Sequence, residues 1–158
     1  MVGSGATIGE IENMYRRRYR RFLRVARAAL GDEDRARDAV QETFARAIRS
    51  RFDFRGEGSL EGWIWRMLVN LCADERRSAE PRPQTELASN GHPTEWPEVR
   101  AAVAALPERQ RLALFLRHYA DLDYEAIATA LGVQRGTVAA TLHAAYESLR
   151  QTLPEVHQ

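Results

Sequence analysis

The sequence predicts an all-α protein made of two small helical domains joined by a flexible linker. Three observations predict it. Apolar residues recur every three to four positions along several stretches, no stretch shows the apolar–polar alternation of a half-buried strand, and a proline-rich segment interrupts the pattern once, near the middle. With 158 residues, 44% of them hydrophobic, the chain suits one modest core or two small ones. The division expected is 1–78 for the first domain, 79–97 for the linker and 98–158 for the second domain.

Thr7 followed by Glu10 makes a capping box, and an arginine-rich helix follows through Leu30, with Met14, Tyr15, Tyr19, Phe22, Leu23 and Ala26 as its apolar positions. Gly31 ends it. Asp32 caps the next helix, in which Ala36, Val40, Phe44 and Ile48 recur every four residues. Phe52 to Gly58 breaks the periodicity and reads as a loop carrying Phe52 and Phe54. Ser59 is a natural cap for a third long helix, with Leu60, Trp63, Ile64, Met67, Leu68 and Leu71 as its buried stripe and Arg66, Asn70, Asp74 and Arg77 opposite.

Pro81, Pro83, Pro93 and Pro97 mark a flexible or extended linker. Val99 to Leu106 opens the second domain, and Pro107 is expected in the first turn of a helix to about Tyr119. Asp123 caps a short helix, Tyr124 to Leu131, that Gly132 ends. The last helix runs from about Arg135 to Leu149 with Val138, Leu142, Ala145 and Leu149 inward. A short helix, a glycine turn and a longer helix make a helix-turn-helix pattern.

Net charge is only +1, yet it is unevenly spread: residues 1–80 hold 16 arginines against 13 acids, and residues 81–158 hold 7 against 9. The first half is the better candidate for phosphates. Lysine is absent, which fits a GC-rich genome as well as a preference for bidentate contacts. Cys72 stands alone in a helical pattern and reads as packing, so no disulfide or cysteine zinc site is expected. His92, His118, His143 and His157 have no metal or triad spacing, and no phosphate-cradling glycine motif is present. Neither catalysis nor a cofactor is expected. No apolar run reaches the roughly 20 residues that span a bilayer, and the amino terminus lacks a signal-peptide core; a cytoplasmic protein without membrane insertion is expected.

Three segments together resemble one family. Asp38-Ala39-Val40-Gln41-Glu42-Thr43-Phe44 resembles the region-two helix of sigma factors. Phe54-Arg55-Gly56-Glu57-Gly58-Ser59-Leu60, with Trp63-Ile64-Trp65-Arg66, Asn70 and Asp74-Glu75-Arg76-Arg77, resembles the loop and helix that melt and read the minus-ten element. Leu106-Pro107-Glu108-Arg109-Gln110-Arg111, Asp123-Tyr124-Glu125-Ala126-Ile127-Ala128 and Gly132-Val133 resemble the region-four helix-turn-helix. The resemblance is to the extracytoplasmic-function group of the sigma-70 family and runs from about Tyr15 to Leu149. It implies a transcription initiation factor whose partners are RNA polymerase core (β′ clamp helices and β flap), promoter DNA and an anti-sigma protein.

With Val40 and Phe44 inward, Asp38, Gln41 and Glu42 face out, where they can pair with arginines of a partner helix. From the pattern alone this is a solvated helix face; the resemblance makes it the polymerase-docking face. A base leaving the stack costs a few kcal/mol that stacking and edge hydrogen bonds must return. The resemblance implies that the Arg55–Ser59 loop and the Arg66, Asn70, Asp74 and Arg77 face do this, with Asn70 reading a base edge, Arg76 and Arg77 on phosphates and Trp65, off the main stripe, available to DNA.

The recognition helix departs from the family. Only its ends are basic, and Gln134 stands where a serine cap is usual. Two readings follow. Arg135, Thr137, Thr141 and His143, with Ala139 and Ala140 on thymine methyls, read a minus-thirty-five element weakly; or the exposed alanines and Tyr146 bind protein. A corresponding functional alternative is a sigma-like regulator or decoy that binds polymerase or an anti-sigma protein without minus-thirty-five recognition.

Overall fold

The computed structural model describes residues 5–78 and 96–153. Most of the expected linker, 79–95, lies outside the described residues, as do His92 and His157. Among the described residues the regular structure is entirely helical: α1 Ile8–Leu30, α2 Glu33–Arg49, a single 3₁₀ turn Arg51–Asp53, α3 Leu60–Ser78, α4 Pro97–Ala104, α5 Glu108–His118, α6 Tyr124–Leu131 and α7 Arg135–Thr152.

The helices begin where short polar side chains satisfy the free N–H groups of the first turn. Thr7 Oγ1 accepts from the Glu10 N–H at 3.0 Å while the Thr7 N–H donates to Glu10 Oε1 at 2.9 Å, completing the capping box of α1. Asp32 accepts from the Arg35 N–H at 2.9 Å and Asp123 from the Ala126 N–H at 2.8 Å. Ser59 Oγ accepts from the Gly62 N–H at 2.9 Å. Pro107 lies one residue before α5 rather than inside it: its ψ of 146° is extended, and its carbonyl accepts from the Arg111 N–H at 3.0 Å.

Helices α1, α2 and α3 enclose an aromatic core. Phe22 stacks on Trp65 with centroids 3.8 Å apart and meets Phe44 edge-on at 5.0 Å; Tyr15 meets Phe44 in the same edge-on way. Trp65 is 0% exposed, and its indole N–H donates to Glu61 Oε2 at 3.1 Å. This corrects the expectation that Trp65 is available to DNA. The buried run of α3 is Ile64, Trp65, Leu68, Val69, Leu71 and Cys72, whereas Trp63 and Met67 are only half-buried. The true stripe is turned from the expected one by roughly one residue, about 100° of helix. Cys72 is buried, as a packing residue should be, and burial pushes its thiol up to about 12.

In the second unit α5, α6 and α7 share Leu112, Leu116, Ile127, Val138 and Leu142. Arg111 is buried among them, and its guanidinium donates to the carbonyls of Ala104 and Leu106 at 3.0 and 3.1 Å, fastening the turn between α4 and α5. Burial, then the neighbouring charge of Arg76, pushes it down to about 10.

The two units are packed together: α6 lies on α3, and α5 touches α1. The seam is built on small residues. A Cβ at Gly62 would fall 2.9 Å from Thr129 Cγ2, and one at Gly132, whose φ is +68°, would fall 3.2 Å from Arg66 Nη2. Arg21 Nη1 donates to the Ala120 carbonyl at 3.2 Å.

Candidate nucleic-acid interface

The loop before α3 combines two glycines in left-handed backbone, Gly56 at φ +77° and Gly58 at φ +78°, with an exposed Arg55. Phe54 packs against Trp63 at 5.4 Å, so the half-buried tryptophan beside the loop is Trp63. Trp63 and Trp65 stand two residues, about 200° of helix, apart, so only one of them can share the buried side; the signal for which one lies beside the loop is Phe54. Ser59 is exposed. Its oxygen accepts the capping bond, which leaves the hydroxyl hydrogen to donate.

From this loop α3 projects Arg66, Asn70, Asp74 and Arg77, all exposed and spaced three or four apart, so they line one face. Arg77 is ion-paired with Asp74 on that face. Asn70 is the neutral donor–acceptor in the row. Arg76 is set apart from them, half-buried and near enough to Arg111 of the second unit for the two like charges to repel. The row is not wholly open, because the Arg66 end abuts Gly132 across the seam.

On α2, Asp38 and Gln41 are exposed and Val40 and Phe44 are buried, the predicted arrangement. Glu42 is already engaged: it accepts from Arg46 Nε at 3.0 Å and Arg49 Nη2 at 2.9 Å. The hydrogen bonds from Arg46 and then Arg49 hold its carboxyl below the usual carboxylate range. Docking on a cationic partner through Glu42 therefore means exchanging one arginine partner for another.

Helix α7 exposes Arg135, Thr137, Ala139, Ala140 and His143; Thr141 is half-buried. Gln134 makes no side-chain capping bond. Arg135 lies 3.6 Å from Glu125, so the basic end of the helix is partly neutralised. Tyr146 does not stand free for a partner: its hydroxyl is 2.8 Å from His118 Nε2. A cleft of about 360 Å³ opens between the units, lined by Arg18, Arg21, Ser59, Asp121, Asp123 and Thr129 among others. The sequence signal for the seam and this cleft is Gly62, a glycine inside a helix with no turn to explain it. Among the described residues no group of three or more His, Cys, Asp or Glu is placed to hold a metal, and no helix is long and apolar enough to cross a membrane.

Residues 14–82 match the family description Sigma-70 region 2, and residues 97–149 match Sigma-70, region 4. The ECF RNA polymerase sigma factor SigL of Mycobacterium tuberculosis is 32% identical, over 84% of this chain and 82% of its own length. The RNA polymerase sigma-E factor of Streptomyces coelicolor is 30% identical over 91% and 86%. The ECF RNA polymerase sigma factor SigE of Mycolicibacterium smegmatis is 30% identical over 96% of this chain, which spans 65% of that relative's length. The fold is similar to two solved complexes: CnrH with the cytosolic domain of CnrY (TM-score 0.72, 20% identity, 92% of this chain and 88% of that one) and the sigma factor RpoE with the anti-sigma factor NepR from Bartonella quintana (TM-score 0.70, 19% identity, 94% and 99%).

Proposed function

Since the chain belongs to the extracytoplasmic-function group of the sigma-70 family, we propose that it binds RNA polymerase core and directs promoter recognition and opening, working by binding and not by catalysis, in the cytoplasm. The observation that carries the reading is the exposed row Arg66, Asn70, Asp74 and Arg77 rising directly from a two-glycine loop. An extruded base needs a surface that repays its lost stacking. The loop offers Arg55, the Ser59 hydroxyl and the open edge of Trp63; the helix offers Asn70 for a base edge and Arg77 for a phosphate.

In this reading residues 1–78 dock on the β′ clamp helices through Asp38, Gln41 and Glu42, and 98–158 lie toward the β flap. Trp63 takes the role first expected of Trp65. Arg76, half-buried, is less open to DNA than Arg77. The second unit reads the minus-thirty-five duplex weakly, through Arg135, Thr137, Ala140, Thr141 and His143. Because CnrH and RpoE were solved with the protein partners named above, an anti-sigma protein is the expected inhibitor.

The test is run-off transcription with purified core and fragmented genomic DNA, alongside co-purification with core. The double variant Asn70→Ala/Arg77→Ala is expected to reduce open-complex formation at least tenfold, about 1.4 kcal/mol, while core binding is kept. Promoter opening at the wild-type level would remove these residues from the mechanism.

A further inference from the structure

One strongly charged surface is left over by this account. On α1 the core is formed by Ile11, Phe22, Val25, Ala26 and Ala29, and the opposite side carries Arg17, Arg20 and Arg24, all exposed. At 100° per residue the three fall within roughly 60° of one another. Among the described residues none of them makes an ion pair or a side-chain hydrogen bond, which sets them apart from their neighbours. The nearby acids are all engaged elsewhere. Glu10 closes the capping box, Glu12 pairs with Arg16 at 2.8 Å, Glu61 holds Arg18 and the Trp65 indole, and Glu33 holds Arg27 and Arg37.

Like charges three, four and seven apart on a helix repel one another, so the stripe lowers the stability of the free helix. A solvated helix face ordinarily mixes the two signs; on this one the acid, Glu10, lies two turns before Arg17 and is engaged in the capping box. Its position also matters. Arg17 shares a small cleft with Arg18 and Glu61, the latter in the first turn of α3, and Arg18 and Arg21 share the larger cleft with Gly58 and Ser59. The Arg17 end of the stripe, next in sequence to Arg18, therefore lies nearest the root of the two-glycine loop, and Arg20 and Arg24 continue away from it along α1.

We infer that Arg17, Arg20 and Arg24 form a phosphate-binding stripe that holds the promoter DNA backbone next to the loop 54–59. The inference rests on the function proposed above and extends its DNA contact from α3 to α1. The three side chains cover about 10 Å of helix axis, room for two or three successive phosphates of one strand at roughly 3.4 Å of axial rise each. Guanidinium groups supply bidentate hydrogen bonds to phosphate oxygens. The contact carries no sequence information; it sets register and strengthens binding in a salt-dependent way.

The test uses the full chain reassembled with polymerase core on the promoter fragment selected by run-off transcription. Arg17→Gln/Arg20→Gln/Arg24→Gln is expected to reduce the slope of log K against log salt by about 2 to 3 units, with core binding unchanged, and the triple lysine variant is expected to keep the wild-type slope. An unchanged slope in the glutamine variant overturns the inference. A loss of core binding without a change in slope overturns it too, since the stripe would then be a protein-docking face. Asn70→Ala/Arg77→Ala measured in parallel separates the two levels: if that variant impairs opening while the stripe variant keeps its slope, the stripe alone is wrong, and if it leaves opening intact the underlying reading fails.

Discussion

Two tryptophans two residues apart do different work, and substitution separates them. Trp65 is fully buried against Phe22 with its indole N–H satisfied by Glu61. Truncating it leaves a large cavity in a three-helix core, and Trp65→Ala is expected to cost about 3–5 kcal/mol, read as a lower urea midpoint at constant m-value. Trp63 is half-buried against Phe54, so Trp63→Ala should cost clearly less stability while impairing promoter opening. Equal stability losses from the two would return Trp63 to the core. Sequence periodicity found the helix and half of its stripe, Ile64, Leu68 and Leu71, but not the phase. The reason is that α3 is covered from two sides, by α1 and α2 and again by α6. A helix with two packed faces has no single apolar direction to detect.

Helix ends were legible because their chemistry is local. Thr7, Asp32, Ser59 and Asp123 each cap the helix expected of them, through an oxygen placed three residues before a free N–H. The weak start of α7 was equally legible: Gln134 has the extended backbone of a cap, φ −84° and ψ 158°, but makes no capping bond. A shorter side chain there fits the same backbone and reaches the free N–H. Gln134→Ser is therefore expected to raise the stability of the second unit by about 0.5–1 kcal/mol, and Asp123→Ala to lower it by about 1 kcal/mol. Opposite shifts in urea unfolding check the pair; a neutral Gln134→Ser would mean that the first turn of α7 is already satisfied by water. The outward faces of α2 and α3 were legible as faces, since Asp38, Gln41, Asn70 and Arg77 are exposed. That Glu42 is occupied by Arg46 and Arg49 follows from rotamers, which spacing does not specify.

At the scale of the whole molecule, the association of the two units was not legible, because no local pattern encodes which face of α6 meets which face of α3. Among the described residues the seam sets Gly62 and Gly58 against Thr129 and Arg66 over Gly132, adds a hydrogen bond from Arg21 to a backbone carbonyl, and joins the apolar cores of the two units. Such a surface needs little affinity to close, since joining two units in one chain gives an effective concentration on the order of millimolar, equivalent to about 4 kcal/mol. If the α3 row contacts DNA as proposed, closure hinders it, because Arg66 at one end of the row abuts Gly132 of the second unit. A partner that holds the two units apart would have to supply that free energy. Thr129→Arg places a long cation where Gly58 and Gly62 leave no room. The variant should keep its helical content but show a larger radius of gyration in small-angle scattering and bind core more tightly, by up to the fraction of chains that closure withholds. If the scattering profile is unchanged, the units are held by something other than this seam; if the chain expands and core affinity stays the same, closure does not compete with docking.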